Sequence, residues 1–570
     1  MRVRVSKRAL VGAAALATVA AVVALVLLPP LPTSAPAPAW APAITTARGV
    51  FHIHTTRSDG TGTTDEVAAA AAEAGLQFVI VTDHGNATRA PDQPVYRSGV
   101  LCIDAVEIST TGGHYAALGL GRAPYPLAGE PRDVVEDVRR LGGFGVVTHP
   151  LSPKTDLAWL GWEAEVDGFE WLNGDSVWRD ATLPRLLGAA WAYPLRAAPS
   201  IASLYERPRA IARWDSLLRS GRVVGLAGAD AHARFGLREG REPYVSRVFV
   251  RAPSYEAVFK VASLRVGLPQ PLTRNAARDA DAIVAAIRAG HVHAVLDALA
   301  APAFFEFAGK GGGVAAIEGD RLPGTEPFLL RVRSNPPAGG WIVLFRDGVE
   351  VHRAKARDLV YAGDRPGAYR AEVWIPARRG EGFMPWIVGN PIYVGGRERQ
   401  AEAVPVDMSG PVVRLDPADA LWGVERDARS PAELERSADG VGLRFTLTDA
   451  ADVVPFAALD ATTTIPPGST GIAFRGRADR PMRLSVQIRV VTAGEGKRWQ
   501  RSIYLDERDR DIVIPFAEMT AAGALASGPP DVANVRTILW VADTVNTDRG
   551  SSGRFLLDQV RFFSPRVPRP

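Results

Sequence analysis

Cysteine is almost absent: the 570-residue chain has one, Cys102, which excludes an internal disulfide and a thiolate-bound metal cluster. Any metal ion must therefore be held by histidines and carboxylates. Charge of one sign is also scarce. The formal net charge is +4, and the arginines are spread along the chain instead of gathering in runs, so no specific nucleic-acid partner is expected. A repeat of fixed period is missing, which excludes a solenoid or a propeller. The stretch Gly309-Lys310-Gly311-Gly312-Gly313 lacks the Gly-Lys-Ser/Thr ending that cradles phosphates, so it reads as a turn. Long apolar runs are missing too, with one exception.

That exception is residues 9–28, uncharged, preceded by Arg2, Arg4, Lys7 and Arg8 and followed by Pro29 and Pro30. About 20 apolar residues span a bilayer as a helix, whereas a cleaved signal carries an apolar core of roughly 7–15. Residues 1–28 are therefore expected to be an export signal retained as a membrane anchor, with the basic flank inside and the body outside the cytoplasm. Cleavage among the small residues 33–43 would instead release a secreted or periplasmic form. Residues 29–47 are Pro/Ala-rich and expected to form an extended spacer that lifts the body off the membrane.

With 47% hydrophobic and 22% charged residues the remainder is globular, and it is too long for one hydrophobic core. In 48–272 short apolar runs (50–54, 78–82, 100–106, 144–148) alternate with helical stretches (66–74, 132–141), the signature of a parallel α/β sheet or barrel. Thr63 and Glu66 are spaced as a capping box and Gly75 as a helix stop; Pro131 and Gly142 bracket the next helix. Residues 273–410, after a short Ala-rich helix, read as a β-sandwich, and 411–570 as a jelly-roll-like sandwich.

The chemistry lies in 48–272. His52 and His54 sit two apart on a predicted strand, so both imidazoles project from one face and can reach one ion. Asp59, His84, Glu107, His114, His149, Asp230 and His232 fall at or just beyond the ends of other predicted strands, and in an α/β barrel that rim is where side chains from different strands converge. Six of the nine histidines are placed this way, which chance alone does not readily produce. His291 and His293 mimic the pattern without such company and read as a surface strand.

His52-x-His54 with Ser58-Asp59-Gly60, Thr82-Asp83-His84, Glu107, His149-Pro150 and Asp230-Ala231-His232 resemble, in order, the motifs of polymerase and histidinol phosphatase (PHP) domains, and the spacing is most similar to the carbaryl-hydrolase-like branch. The resemblance covers about residues 48–250. It implies an α/β fold, a distorted (β/α)7 PHP barrel followed here by two β-sandwich-type domains, with two or three divalent ions, commonly zinc, manganese or iron. Carried over, His52, His54, Glu107 and Asp230 would hold one ion, Glu107, His114 and His149 a second, and Asp59, His84 and His232 a third. The segment from about Ala418 resembles carbohydrate-binding-like jelly rolls through Trp499, Tyr504-Leu505-Asp506 and Trp540-Val541-Ala542-Asp543, which would bring glycan contact; core aromatics of a sandwich explain the same residues.

The expectation is hydrolysis by metal-activated water between ions bridged by Glu107, with His232 a candidate proton donor and Arg57, Lys154 and Arg234 candidate phosphate clamps. A phosphoesterase acting on small phosphate esters or nucleotides comes first. A carbamate or carboxylic ester hydrolase is the alternative enzyme, and a surface glycan-binding protein with an inactive barrel the alternative of another class.

Overall fold

The computed structural model describes residues 28–236, 248–377, 382–395, 412–415, 421–437, 440–492, 495–522, 528 and 530–564. The expected anchor lies outside these save for Leu28, as does the expected boundary at 410/411. Among the described residues no helix is long and apolar enough to cross a membrane. Strand makes up 43% and helix 16%, so the architecture is mostly β.

The first unit is a closed ring. β1 (Thr45–Ile53) pairs in parallel with β2 (Phe78–Val81), and β2 with β3 (Val100–Asp104). Ala105 joins β3 to β4 (Val106–Thr110), which pairs antiparallel with β5 (Gly113–Leu118), as β5 does with β6 (Phe144–Val147). Parallel pairs then return through β7 (Gly168–Asn173) and β8 (Val224–Ala231) to β1. Every residue of β2 is buried, as a strand covered on both faces requires. Helices α1 (Thr64–Glu73), α2 (Pro131–Arg140), α3 (Leu183–Ala192) and α4 (Ala210–Ser220) follow ring strands. The local signals act as read: Thr63 and Glu66 form a capping box, Pro131 opens α2, and Gly75 and Gly142 take φ of 72° and 82° beyond the helix ends.

The expected boundary at 272/273 falls between β-strands of one continuous ladder. The first half of β1 pairs antiparallel with β9 (Ser263–Leu268), β9 with β10 (Val292–Val295), and β10 with Phe383–Gly389. One buried apolar cluster correspondingly extends from Phe51 through Leu264 and Leu322 to Val394. The nine-residue β1 is long enough to serve both ladders, so ring and second unit share a core. A four-stranded sheet that includes Phe305–Gly311 and Phe328–Ser334 completes this unit. Gly309, Lys310 and Gly311 belong to that strand, and only Gly312 and Gly313 make the turn.

Three expectations are corrected here. His293 is no surface residue: in β10, flanked on both sides, it is 5% exposed and its Nδ1 lies 2.7 Å from Glu318 Oε1. His291 Nε2 meets Asp320 Oδ1 at 2.9 Å, at the edge of the same ladder. The spacer is extended but docked. Thr33–Ser34 pairs with Ala300–Ala301, Asn335 Nδ2 donates to the Pro36 carbonyl at 2.7 Å, and Trp40 stacks on Phe304. Apolar and carbonyl partners far along the chain convert a Pro/Ala tether into a strap.

The third unit is a sandwich of two six-stranded sheets with its own buried cluster, in which Trp499 and Trp540 lie. It docks on α2. Arg483 Nε donates to Asp137 Oδ2 at 2.8 Å and its Nη1 to Asp133 Oδ1 at 3.1 Å, all three side chains at most 2% exposed, while Arg140 lies over the Tyr504 ring at 3.5 Å.

Candidate metal centre

The nine candidate ligands meet at the end of the ring to which its parallel strands point. His52 lies on β1 and His54 just beyond it, His84 follows β2, Glu107 lies on β4, His114 on β5, His149 follows β6, Asp230 lies on β8 and His232 follows it. Three of them, His52, His149 and Asp230, hold positive φ angles of 70°, 33° and 48°. Non-glycine residues rarely adopt this region, and strain of this kind clusters where a strand must turn a side chain inward for function. The Asp59 loop is fastened from behind: Asp83 accepts from Thr55 N at 2.7 Å and Ser58 Oγ at 2.6 Å. Gly60 allows that loop to close, since a Cβ there would sit 2.2 Å from the His54 carbonyl oxygen.

Glu107 stands at the centre, 1% exposed, with its two oxygens facing different imidazoles. Oε2 lies 3.4 Å from His52 Nε2 and 3.3 Å from both His54 Nε2 and His84 Nδ1. Oε1 lies 3.4 Å from His114 Nδ1 and 3.0 Å from His149 Nε2, and accepts from Thr148 Oγ1 at 2.6 Å. Asp230 Oδ1 approaches His52 Nε2 at 3.3 Å and His54 Nε2 at 3.4 Å. Asp59 faces His54, His84 and His232 at 3.4–3.6 Å. His54 thus borders two groups, through Nε2 and through Nδ1. Burial opposes the charged form of Glu107 and of Asp59, but the surrounding imidazoles hold both carboxyls well below the usual range. Burial, together with the His232 ring stacked 4.2 Å away, lowers His54 to about 4, so it is neutral at pH 7 with a lone pair to offer. Burial also opposes protonation of His84, which Asp59 and Glu107 nevertheless lift to about 9.

The test for a cation lies in nitrogens that have no other use. His52 Nε2, His54 Nε2, His84 Nδ1 and His114 Nδ1 are buried without a hydrogen-bond partner. Orphaned buried nitrogens are costly in protein and are what ligation satisfies. Three rings, that of His52 among them, are held through Nδ1. His52 Nδ1 lies 2.7 Å from Glu170 Oε1, His149 Nδ1 2.9 Å from the Leu157 carbonyl and His232 Nδ1 3.1 Å from the Asp230 carbonyl. An Nδ1–H donated outward leaves each Nε2 lone pair pointing in, the arrangement that metal-ligating histidines use.

Sequence reasoning missed Glu170 and Asn173. Glu170 is fully buried on β7 and accepts from His149 N at 2.8 Å and from Asn173 Nδ2 at 2.8 Å, while Asn173 also donates to Asp230 Oδ2 at 3.1 Å. Gly228 leaves room for it, because a Cβ there would lie 1.7 Å from Glu170 Oε1. The available signal was a carboxylate inside the apolar run Phe169-Glu170-Trp171-Leu172. Arg57, conversely, is committed to Asp83, Asp92 and Asp104, which removes it as a phosphate clamp. A cleft of about 300 Å³ opens beside the cluster, its wall including His149, Glu170, Asn173, Arg185 and Arg207.

No protein-family model and no curated protein matches the chain. Among solved structures, the family 11 carbohydrate-binding module of a cellulosomal cellulase from Clostridium thermocellum is similar at 18% identity over 28% of this chain and 99% of that one, with a TM-score of 0.22. The family 11 module from the same organism in complex with a mixed-linked tetrasaccharide is 17% identical over 27% of this chain and 96% of that one, again at 0.22. An agarase is 11% identical over 28% of this chain and 25% of that one, at a TM-score of 0.22. At these TM-scores none of the likenesses assigns an activity to the chain.

Proposed function

We propose that the cluster holds two or three divalent cations and that the chain is a metal-dependent hydrolase of small phosphate esters or nucleotides, its ring a distorted (β/α)7 barrel of the PHP type. The observation that carries the reading is the convergence of four orphaned imidazole nitrogens on Glu107, two of them, His52 Nε2 and His54 Nε2, also facing Asp230. Closure of the ring through the parallel pairing of β8 with β1, with most of the ligands at the end to which the parallel strands point, supports the barrel assignment. Zinc, manganese or iron bound there would supply Lewis acidity that activates water and offsets charge on a phosphoryl oxygen.

The chain's own residues do the rest. His52, His54, Glu107 and Asp230 form one ligand set, Glu107, His114 and His149 a second, and Asp59, His84 and His232 a third. Glu107 would bridge the first two sets, since it turns one oxygen to each. His232 Nδ1 faces the Asp230 carbonyl and its Nε2 lies 3.4 Å from Asp59 Oδ2, which places this ring both to complete the third set and to serve as the candidate proton donor. Thr148 and Glu170 orient Glu107 and His52. The exposed side is formed by His84 and Asp59, 32% and 24% exposed, where substrate would enter.

Element analysis of the purified chain is expected to find two to three equivalents of divalent metal. Chelation should abolish turnover of p-nitrophenyl phosphate or a nucleotide, and Mn²⁺ or Zn²⁺ should restore it. A chain without bound metal, or chelator-resistant turnover, would sink the reading. Hydrolysis of carbamates or carboxylic esters in place of phosphates would move it to the alternative enzyme, and a metal-loaded chain inert to all three would favour the glycan-binding alternative.

Glu170→Gln provides a finer check. It removes the carboxylate that fixes the His52 ring, and loss of such a partner weakens metal affinity by about 10–100-fold. Titration calorimetry on the metal-free protein should show that drop with an unchanged far-UV spectrum; equal affinity would mean that Glu170 does not orient the site.

A further inference from the structure

The hydrolytic reading leaves one surface unused. Helix α3 buries Ala189 and Ala192 and turns Leu183, Pro184, Leu187, Gly188, Ala190 and Trp191 outward, a face without a charged or polar side chain. Leu183, Leu187 and Trp191 are 67%, 62% and 49% exposed at four-residue spacing, and Leu195 continues the row at 68%. Single exposed leucines are ordinary on a soluble surface, but a row at i, i+4 is one continuous strip that water alone does not favour.

The occupant is indicated by where the chain enters. Arg196 Nη1 donates to the Pro29 carbonyl at 2.8 Å, so the end of the apolar run 9–28 is tied to the residue next to Leu195. Leu31, 61% exposed, adds to the same region. We propose that α3 and Leu195 seat in the interfacial layer of the bilayer that residues 9–28 cross. This rests on the anchor reading and is independent of the hydrolase reading. An apolar helix face lying in the plane of the headgroup boundary is a known way for a peripheral surface to bind lipid. Arg185, on the inner side of α3, lines the cleft beside His149, so seating the helix brings that cleft to the membrane surface.

The test uses the full chain in phosphatidylcholine–phosphatidylglycerol vesicles, with a spin label on Leu187→Cys and, as control, on the exposed Ala428→Cys of the third unit. Native Cys102 is 5% exposed, and burial raises its thiol to about 11, so it takes little label. Collisional broadening should rank oxygen above chromium oxalate at position 187 and reverse that order at 428. A label at 187 as accessible to chromium oxalate as the control, on protein that floats with the vesicles, would overturn the docking while leaving the anchor intact. Failure of the full chain to float would overturn both. Spin–spin coupling between labels at 187 would replace lipid with a second copy of the chain and equally overturn the proposal.

Discussion

Glu107→Gln should leave more than one cation position empty and reduce hydrolysis by on the order of 10²–10³-fold, the range seen when a preorganised electrostatic element is removed. The reason is geometric. Oε1 serves His114 and His149 and Oε2 serves His52, His54 and His84, all at 3.0–3.4 Å, whereas Asp230 comes that close to His52 and His54 and reaches His149 only within 4.8 Å. An amide retains one acceptor, which Thr148 can still reach, but puts an NH₂ donor against imidazole lone pairs and removes the charge that offsets clustered cations. Element analysis at fixed free metal, read beside turnover, checks this. Full metal content in the variant would exclude the bridging role, and metal loss without activity loss would separate the cations from the chemistry.

Arg370→Ala is expected to destabilise the chain by about 3–5 kcal/mol, because removing one member of a buried ion network strands the others. Arg370 is 1% exposed and reaches Asp215 on α4 through Nε at 3.1 Å and Nη2 at 3.0 Å. It also bonds Glu372, whose other oxygen accepts from Trp374 Nε1, and its guanidinium lies about 5 Å from the Trp214 and Phe345 rings. Burial already pushes the Asp215 carboxyl above its ordinary range with Arg370 in place. Without Arg370, Asp215 and Glu372 must pay desolvation unaided or take up protons. The network ties the ring to the second unit across their shared core, so urea unfolding followed by tryptophan fluorescence should show the loss in the transition of that joint body. A shift below about 1 kcal/mol, the level of an exposed pair, would mean that water reaches the site.

What could be read from the sequence is what depends on near neighbours in the chain. The capping box at Thr63 and Glu66, the stops at Gly75 and Gly142 and the same-face pair His52/His54 all depend on residues within a few positions, so periodicity and spacing disclosed them. The ligand set was legible because most members flank an apolar run, His114 opening one and the others but Asp59 lying at or just past the end of one, which is a local signal even when the runs are far apart.

The rest depended on which distant segments meet. Glu170 has no motif; its meaning comes from the imidazole of His52, 118 positions away, and from a glycine on the adjoining strand that leaves it space. His293 resembled His52 in pattern, yet β10 lies between β9 and Phe383–Gly389, which pair it with Glu318 and keep it out of the cluster. Residues 29–47 had the composition of a tether and became a strap because Ala300, Phe304 and Asn335 supply partners. The sequence by itself determined which strand ends carry imidazole and carboxylate. Only closure of the ring decided that Glu107 faces five histidines with two oxygens, because the pairing of β8 with β1 is a contact across about 180 residues that local periodicity does not encode.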